Sequence, residues 1–322
     1  MKKIIVLTSG GDAPGMNAAI RAVVRTGDYY GLKVYGCQFG FQGLVDQNIF
    51  PMEPNSVANT IQHGGTILKT ARCLSFLQKE TRDACRAFLK KEAIDGLVVI
   101  GGNGSFKGAS LLTAEGGPAA IGIPGTIDND IHGTEYTIGF DTARNTALQA
   151  IDKIRDTASS HNHNFLVEVM GRSSGFLALD VGIAGGAEFI LTPEFPVSNE
   201  VLASKITTPR RHKLSSIIVV AEADKSGRSF DIAKQLAVIT GLQYRVCVLG
   251  HTQRGGSPTA MDRKMASEMG YLAVRGLIQG ASHQMTAFNQ GKLDLVKIPD
   301  PDLGPRILTH KDLIELNDIL CT

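Results

Sequence analysis

No CxxC pair occurs anywhere in the sequence, and its five cysteines (Cys37, Cys73, Cys85, Cys247 and Cys321) stand far apart. This scatter argues against a zinc cluster and against a disulfide framework, so a reducing cytoplasm is expected. A dominant charge is lacking too: 33 basic against 31 acidic side chains leave a formal net charge of +2. So small an excess argues against nucleic-acid or membrane partners. Long apolar runs are missing as well. The basic start MKKIIVLTSGG is apolar only from Ile4 to Leu7, too short for the core of a signal peptide and far too short to cross a bilayer. It reads instead as a first strand. Low-complexity segments and strict repeats are also absent.

What is present is a chain of 322 residues, 43% hydrophobic and 20% charged, long enough for two soluble domains. Six strand-like runs end in glycine-rich or polar turns: KIIVLTSGGDAPG, GLVVIGGNGS, AAIGIPGTIDND, FLVEVMGRSSG, IIVVAEADKSG and RVCVLGHTQRGG. Helical patterns lie between them at Met16–Thr26, Lys79–Lys91 and Ala143–Ser159. Strands alternating with helices predict an α/β fold whose parallel sheet is covered on both faces. Ligands of such sheets bind at the carboxyl ends of the strands, where nearly every polar cluster of this chain falls. Gly139–Asp141 is the expected first crossover, because a long helix follows it. The tail from Lys292, with its PDPDLGP stretch, reads as loop and then a short helix, His310–Leu320.

Two turns are suited to phosphate. Thr8-Ser9-Gly10-Gly11-Asp12-Ala13-Pro14-Gly15 follows the first strand and precedes a helix. Gly101-Gly102-Asn103-Gly104-Ser105 does the same, with its helix expected to start near Ser105. Glycines let an anion approach backbone N–H groups, and a helix N-terminus adds partial positive charge. The first turn lacks the GK[ST] of a Walker loop, and a plain strand-to-helix turn remains its alternative. A third turn, Pro124-Gly125-Thr126-Ile127-Asp128-Asn129-Asp130, sets two carboxylates two residues apart behind a hydroxyl. One carboxylate can accept a hydroxyl proton while the other orients the group or helps hold a metal; otherwise it is an Asx-rich turn. Gly171-Arg172 and Arg254-Gly255, with Arg245 and Arg72, add four arginines at strand ends or glycine turns, suited to phosphate oxygens. Arg21 and Arg25 lie one helical turn apart. Glu168, Glu188 and Glu222 are either ligands of sugar hydroxyls or turn formers. Together these residues point to phosphoryl transfer. A dinucleotide dehydrogenase is disfavoured for want of a GxGxxG turn with an acidic residue about twenty positions on.

In order and spacing, LTSGGDAPGMNAAIR, VVIGGNGS, PGTIDND, IDKIRDTASSH, EVMGR and LGHTQRGGSP resemble the bacterial-type ATP-dependent 6-phosphofructokinases. The resemblance spans about residues 1–265 and is loose after about 280. It implies two Rossmann-like three-layer domains with mainly parallel sheets and an active site in the cleft between them. Residues 1–140 plus about 257–296 would form the nucleotide-binding domain, and 141–256 plus about 297–322 the sugar-phosphate domain. It also implies a glycolytic kinase with Mg2+ and ATP as co-substrate, fructose 6-phosphate as acceptor, and a homotetramer with sites shared between subunits. Asp128 matches the catalytic base, with Thr126 and Asp130 beside it, and Arg172 the group that stabilises the transition state. Gly11, Arg72, Cys73, Phe76, Gly102, Asn103, Gly104, Ser105 and Gly108 match the nucleotide site, Arg72 reaching the transferring phosphoryl and Phe76 packing on the base. Thr126, Asp128, Asp130, His163, Met170, Gly171, Arg172, Glu222, Arg245, His251 and Arg254 match the sugar-phosphate pocket. Arg21, Arg25, Arg155, Gly186, Glu188, Arg211 and Lys213 match part of an effector site for ADP or phosphoenolpyruvate.

The sequence departs from this pattern at a few positions. Asn103 stands where the family has the aspartate that serves magnesium, so it keeps one acceptor oxygen and loses the charge. His163 stands where an arginine on the sugar phosphate is usual. Pro54, Asn55, Leu214 and Ser215 replace common basic or aromatic effector residues. Pyrophosphate-using relatives carry an aspartate and a lysine where this chain has Gly104 and Gly125, so ATP is the expected donor. The alternatives are a pyrophosphate-dependent enzyme and a catalytically weakened paralogue with a binding or regulatory role.

Overall fold

The computed structural model of the chain describes residues 1–208, 215–223 and 226–321. They divide into two compact units. Unit 1 comprises Met1–Ile127, Ile131–Thr142 and Arg254–Gly304; unit 2 comprises Asp128–Asp130, Ala143–Gln253 and Pro305–Thr322.

Unit 1 opens with β1 (Lys3–Ser9), α1 (Met16–Tyr29), β2 (Lys33–Cys37), α2 (Phe41–Val45) and β3 (Ile49–Met52). It continues with α3 (Lys79–Lys91), β4 (Gly96–Gly101), α4 (Asn103–Ala114) and β5 (Ala119–Pro124). Then come α5 (Phe140–His161), β6 (Asn164–Val169), α6 (Phe176–Ala184), β7 (Phe189–Leu191), α7 (Asn199–Thr207), β8 (Ser216–Ala221), α8 (Arg228–Thr240) and β9 (Tyr244–Val248). The chain returns to unit 1 through α9 (Ala260–Ile278), β10 (Gln284–Asn289) and β11 (Lys292–Lys297), and ends in unit 2 with α10 (Lys311–Leu320).

The strands of unit 1 form one sheet in the order β11-β10-β5-β4-β1-β2-β3; those of unit 2 form a second, β7-β8-β6-β9. The second sheet is parallel throughout. The first is parallel except at its two edges, where β3 and β11 run antiparallel to their neighbours. The expected mainly parallel α/β architecture is thus present, and all six strand-like runs form strands. Burial explains why they were readable. Every residue of β4 is buried, as is all of β1 after Lys3, so these strands read as continuous apolar runs.

The tail departs from expectation. Residues 292–297 are not loop but β11, paired with β10 through a tight turn in which Gln290 and Gly291 take φ of 51° and 76°. Two consecutive left-handed residues are what a two-residue hairpin requires.

Two helix starts in unit 1 cap each other. The buried carboxylate of Asp262, in the first turn of α9, accepts from the N–H groups of Gly139 (2.9 Å) and Thr142 (2.8 Å) at the start of α5. Thr259, the N-cap of α9, donates to Asp141 (2.6 Å). Burial pushes the Asp262 carboxyl above its usual range.

Helix α3 ends in a Schellman motif: Ala93 N donates to Lys90 O (3.1 Å) and Ile94 N to Leu89 O (2.9 Å). Ala93 is exposed and sits at φ 53°, where its Cβ is strained. Ala93→Gly is expected to stabilise the protein by about 0.5–1 kcal/mol, the relief of the left-handed torsion less the entropy glycine adds to the unfolded chain. The thermal midpoint should rise by about 1–3 °C. A lower midpoint would show that the methyl group packs better than its torsion costs.

Candidate active site

Strands β1, β4 and β5 lie side by side, with Ser9 opposite Gly101 and Gly101 opposite Pro124. Their register starts all three sequence-marked turns at one edge of the unit 1 sheet. In the first turn Gly10 (φ 87°) and Gly15 (φ 107°) hold left-handed torsions, and Gly15 leads directly into α1. Arg254 covers this turn: its Nη1 donates to Asp12 O at 3.1 Å, and a Cβ on Gly11 would stand 2.2 Å from the same nitrogen. Arg254 therefore clusters with the Gly11 turn in unit 1.

In the second turn α4 begins at Asn103, two residues before the expected Ser105, because Gly102 acts as N-cap and its carbonyl accepts from Ser105 N and Phe106 N. Ser105 points inward; its buried hydroxyl donates to Ser9 O at 3.0 Å and ties the ends of β1 and β4 together. A Cβ on Gly101 would lie 2.5 Å from that carbonyl, so glycine is required there. Gly104, by contrast, is exposed, with nothing within 4 Å of where a Cβ would stand.

Two matched nucleotide residues have packing roles in this structure. Phe76 is 4% exposed and stacked on Phe41, ring centroids 4.3 Å apart, in the core beneath the turn. Gly108 is glycine because the Phe41 ring would meet its Cβ at 2.8 Å. Arg72 is exposed and Cys73 half-buried, with Cys73 Sγ 3.3 Å from Ser75 Oγ. Sequence reading missed Arg82. It is buried, forms a two-pronged bridge to Glu115 (2.9 and 2.6 Å), and donates to Phe76 O and Leu77 O. It holds the segment that carries Arg72 and Cys73 against α3 and α4.

In the third turn Thr126 is pinned through its backbone: its N–H donates to Ile138 O (3.1 Å) and its carbonyl accepts from Thr137 Oγ1 (2.6 Å). A Cβ on Gly125 would meet Ile100 and Met16 at 3.1 Å.

The unit 2 sheet has a polar edge of its own. Val169 lies opposite Ala221, and Glu168 opposite Val248, so Met170–Arg172, Glu222 and His251 all leave neighbouring strands at the same end. Residues 128–130 belong to this unit. Asp128 is 4% exposed, and its Oδ2 stands 3.7 Å from Arg172 Nε. Ser174 Oγ donates to Asp128 O at 3.3 Å. Arg172 sits at φ 51° directly after Gly171 at φ 136°. Met170 N donates to Gln253 Oε1, and Glu222 N to Val169 O. Glu168 is a helix former's partner and not a ligand: its buried carboxylate accepts from Gly227 N and Ser229 N and caps α8.

His163 precedes β6, and its ring stacks on His161 with centroids 5.6 Å apart. Burial, then the charge of Arg245 and then His161, push the His163 imidazole below its usual range. Arg245 is exposed on β9. Of the effector matches, Arg155, Gly186 and Glu188 come together in unit 2. Arg155 donates to Gly185 O (2.7 Å) and Gly186 O (2.6 Å) and lies 3.5 Å from Glu188. Arg21 and Arg25 lie on α1 in unit 1, where burial and then Arg25 push Arg21 down. Arg211, Lys213 and Leu214 lie outside the described residues. Among those described, no group of three or more His, Cys, Asp or Glu side chains could hold a metal ion. An ion would find one amide oxygen at Asn103.

A family model described as phosphofructokinase matches residues 3–277. The chain is 60% identical over 321 residues to the ATP-dependent 6-phosphofructokinase of Coxiella burnetii, covering 100% of this chain and 98% of the relative. It is 52% identical over 331 residues to the ATP-dependent 6-phosphofructokinase of Halothermothrix orenii, covering 99% of each. Among solved structures, phosphofructokinase from Saccharomyces cerevisiae aligns with a TM-score of 0.86 at 34% identity, covering 100% of this chain and 48% of that one.

Proposed function

The chain belongs to the phosphofructokinase family, and from that premise we propose how its residues divide the reaction. The protein is an ATP-dependent kinase that moves the γ-phosphoryl group of ATP to the 1-hydroxyl of fructose 6-phosphate, giving fructose 1,6-bisphosphate and ADP. Unit 1 is the nucleotide-binding domain, and the turns at Gly11 and Gly102–Gly104 receive the phosphates on backbone N–H groups and a helix N-terminus. The open space at Gly104 leaves room for a nucleotide there. Gly125 is small too, and also packs close to Ile100 and Met16. Magnesium bound with ATP would be held mostly by phosphates and water, and Asn103 would offer it or its water shell one amide oxygen.

Unit 2 is the sugar-phosphate domain. Asp128 accepts the proton of the 1-hydroxyl as the oxygen attacks, while Thr126 and Asp130 position the hydroxyl. Arg172 and Arg72 supply fixed positive charge to the transferring phosphoryl. The pairing of buried Asp128 with Arg172 carries this reading: it sets a carboxylate that can take a proton beside a guanidinium that can hold the transferring group. A coupled assay for fructose 1,6-bisphosphate, with ATP and pyrophosphate compared, tests it. Turnover with ATP alone is expected; turnover with pyrophosphate alone would overturn it.

The Arg155–Gly186–Glu188 cluster is the effector site in unit 2, and ADP titration in the same assay should shift the sugar-phosphate curve. The half-buried edge strand β9 and the exposed Phe230, Val238 and Ile239 of α8 favour a subunit contact and a homotetramer. A monomer in sedimentation velocity would exclude that assembly.

His163 and Arg245 hold the sugar phosphate, and the imidazole is a weak partner at neutral pH. Its pKa lies below the ordinary value of about 6.5, so it becomes cationic only as pH falls below that. KM for fructose 6-phosphate is therefore expected to fall by about three- to tenfold on acidification through that range, the gain from a charged over a neutral hydrogen bond. His163→Arg should lower KM at neutral pH and remove the dependence. His163→Gln reports the titration of the sugar phosphate itself. Identical pH profiles for wild type and His163→Gln would refute the role.

A further inference from the structure

We propose that Arg306 is a positioning residue that fixes the loop carrying Asp128. No motif of the sequence marks it; it lies in the tail, where the family resemblance is loose. The loop has three residues, two of which, Asp128 and Asn129, are 4% exposed. Asn129 takes φ 52°, the left-handed torsion that asparagine adopts in tight turns. Buried carbonyls also need donors, and Arg306 supplies two of them. Its Nη2 donates to Asn129 O at 2.9 Å and its backbone N–H to Asp130 O at 2.7 Å.

Arg306 is itself held. Its guanidinium lies over the ring of Phe176, the first residue of α6, with Cζ 4.3 Å from the centroid. Two residues on, Leu308 N donates to Glu194 Oε1 (3.1 Å), the same oxygen that accepts from Gly175 N (2.8 Å). Gly175 follows Ser174, whose hydroxyl reaches Asp128 O. The contacts form a closed ring: base loop, Arg306, α6 N-terminus, Ser174 and back to the base loop. Arg172 sits in the turn that leads into this ring, so one tail residue sets the position of Asp128 relative to Arg172. Reaction rates fall steeply when a catalytic group is displaced by even an ångström.

The inference rests on the assignment of Asp128 as base, and the variants separate the two. Arg306→Ala keeps the backbone N–H and removes only the guanidinium. It should lower kcat by about tenfold, with KM for ATP changed less than about twofold, the pattern of an interaction expressed in the transition state. Arg306→Lys should recover part of the loss. Millimolar guanidinium, far below denaturing concentrations, should restore turnover to Arg306→Ala and leave wild type unchanged. Arg306→Met keeps an apolar stem over Phe176 and serves if the alanine variant folds poorly. Wild-type kcat in the alanine and methionine variants would overturn the proposal. So would a loss that tracks the folded fraction and ignores guanidinium. An active Asp128→Asn enzyme would overturn the base assignment instead, whatever Arg306 does.

Discussion

Asp128→Asn is expected to lower kcat by about a hundredfold to ten-thousandfold, the usual cost of losing a positioned general base. Asparagine has the same size and keeps one oxygen near Arg172 Nε, so the buried loop should hold its shape. It cannot take the proton of the sugar hydroxyl. Binding of fructose 6-phosphate, measured by calorimetry, should stay close to wild type, because the phosphate-holding residues are untouched. An Asp128→Asn enzyme with more than half of wild-type turnover would mean that another group, or water, accepts the proton.

Asn103→Asp should raise kcat by about five- to thirtyfold and lower the magnesium requirement. Hydrogen bonds to charged groups contribute about 1.5–3 kcal/mol against about 1 for neutral ones, and the difference appears in the rate if it is expressed in the transition state. The fold favours the change: Asn103 is the first residue of α4, where a carboxylate complements the helix dipole. A gain in rate would therefore not be masked by lost stability. ATP affinity should change less, since backbone groups hold the phosphates. Asn103-Gly104 is prone to deamidation, so peptide mass spectrometry must accompany the assay. Unchanged kcat and magnesium dependence in undeamidated protein would remove residue 103 from the metal-dependent step.

The strands most plainly legible in the sequence are those buried on both faces. β4 and β6 announce themselves as apolar runs, and the polar turns after them could be placed because strand register does the rest. Three of the four edge strands were missed; β9 was read. β3 contains Pro51 and pairs on one side only, β7 has three residues, and β11 alternates weakly. At the site, glycines carry more than one meaning. A Cβ on Gly108 would meet the Phe41 ring at 2.8 Å, and one on Gly125 would come within 3.1 Å of Ile100 and Met16. Sequence alone cannot tell room left for a ligand from room taken by a side chain. Arg82, Arg254 and Arg306 show the same limit. Their partners are backbone carbonyls or residues distant in sequence, and no spacing rule encodes such contacts.

Arg172 and Ala93 share nearly the same backbone torsion, φ 51° and 53°. An engineer screening for heat resistance would treat both as defects to be cured with glycine. Only one is. At Ala93 the torsion is a leftover of helix termination; at Arg172 it aims a guanidinium at Asp128. A campaign that relaxed every left-handed residue would deliver a hardier, idle protein. Heat tolerance and turnover can thus be improved at separate addresses in this chain, provided residues 171–174 are left alone.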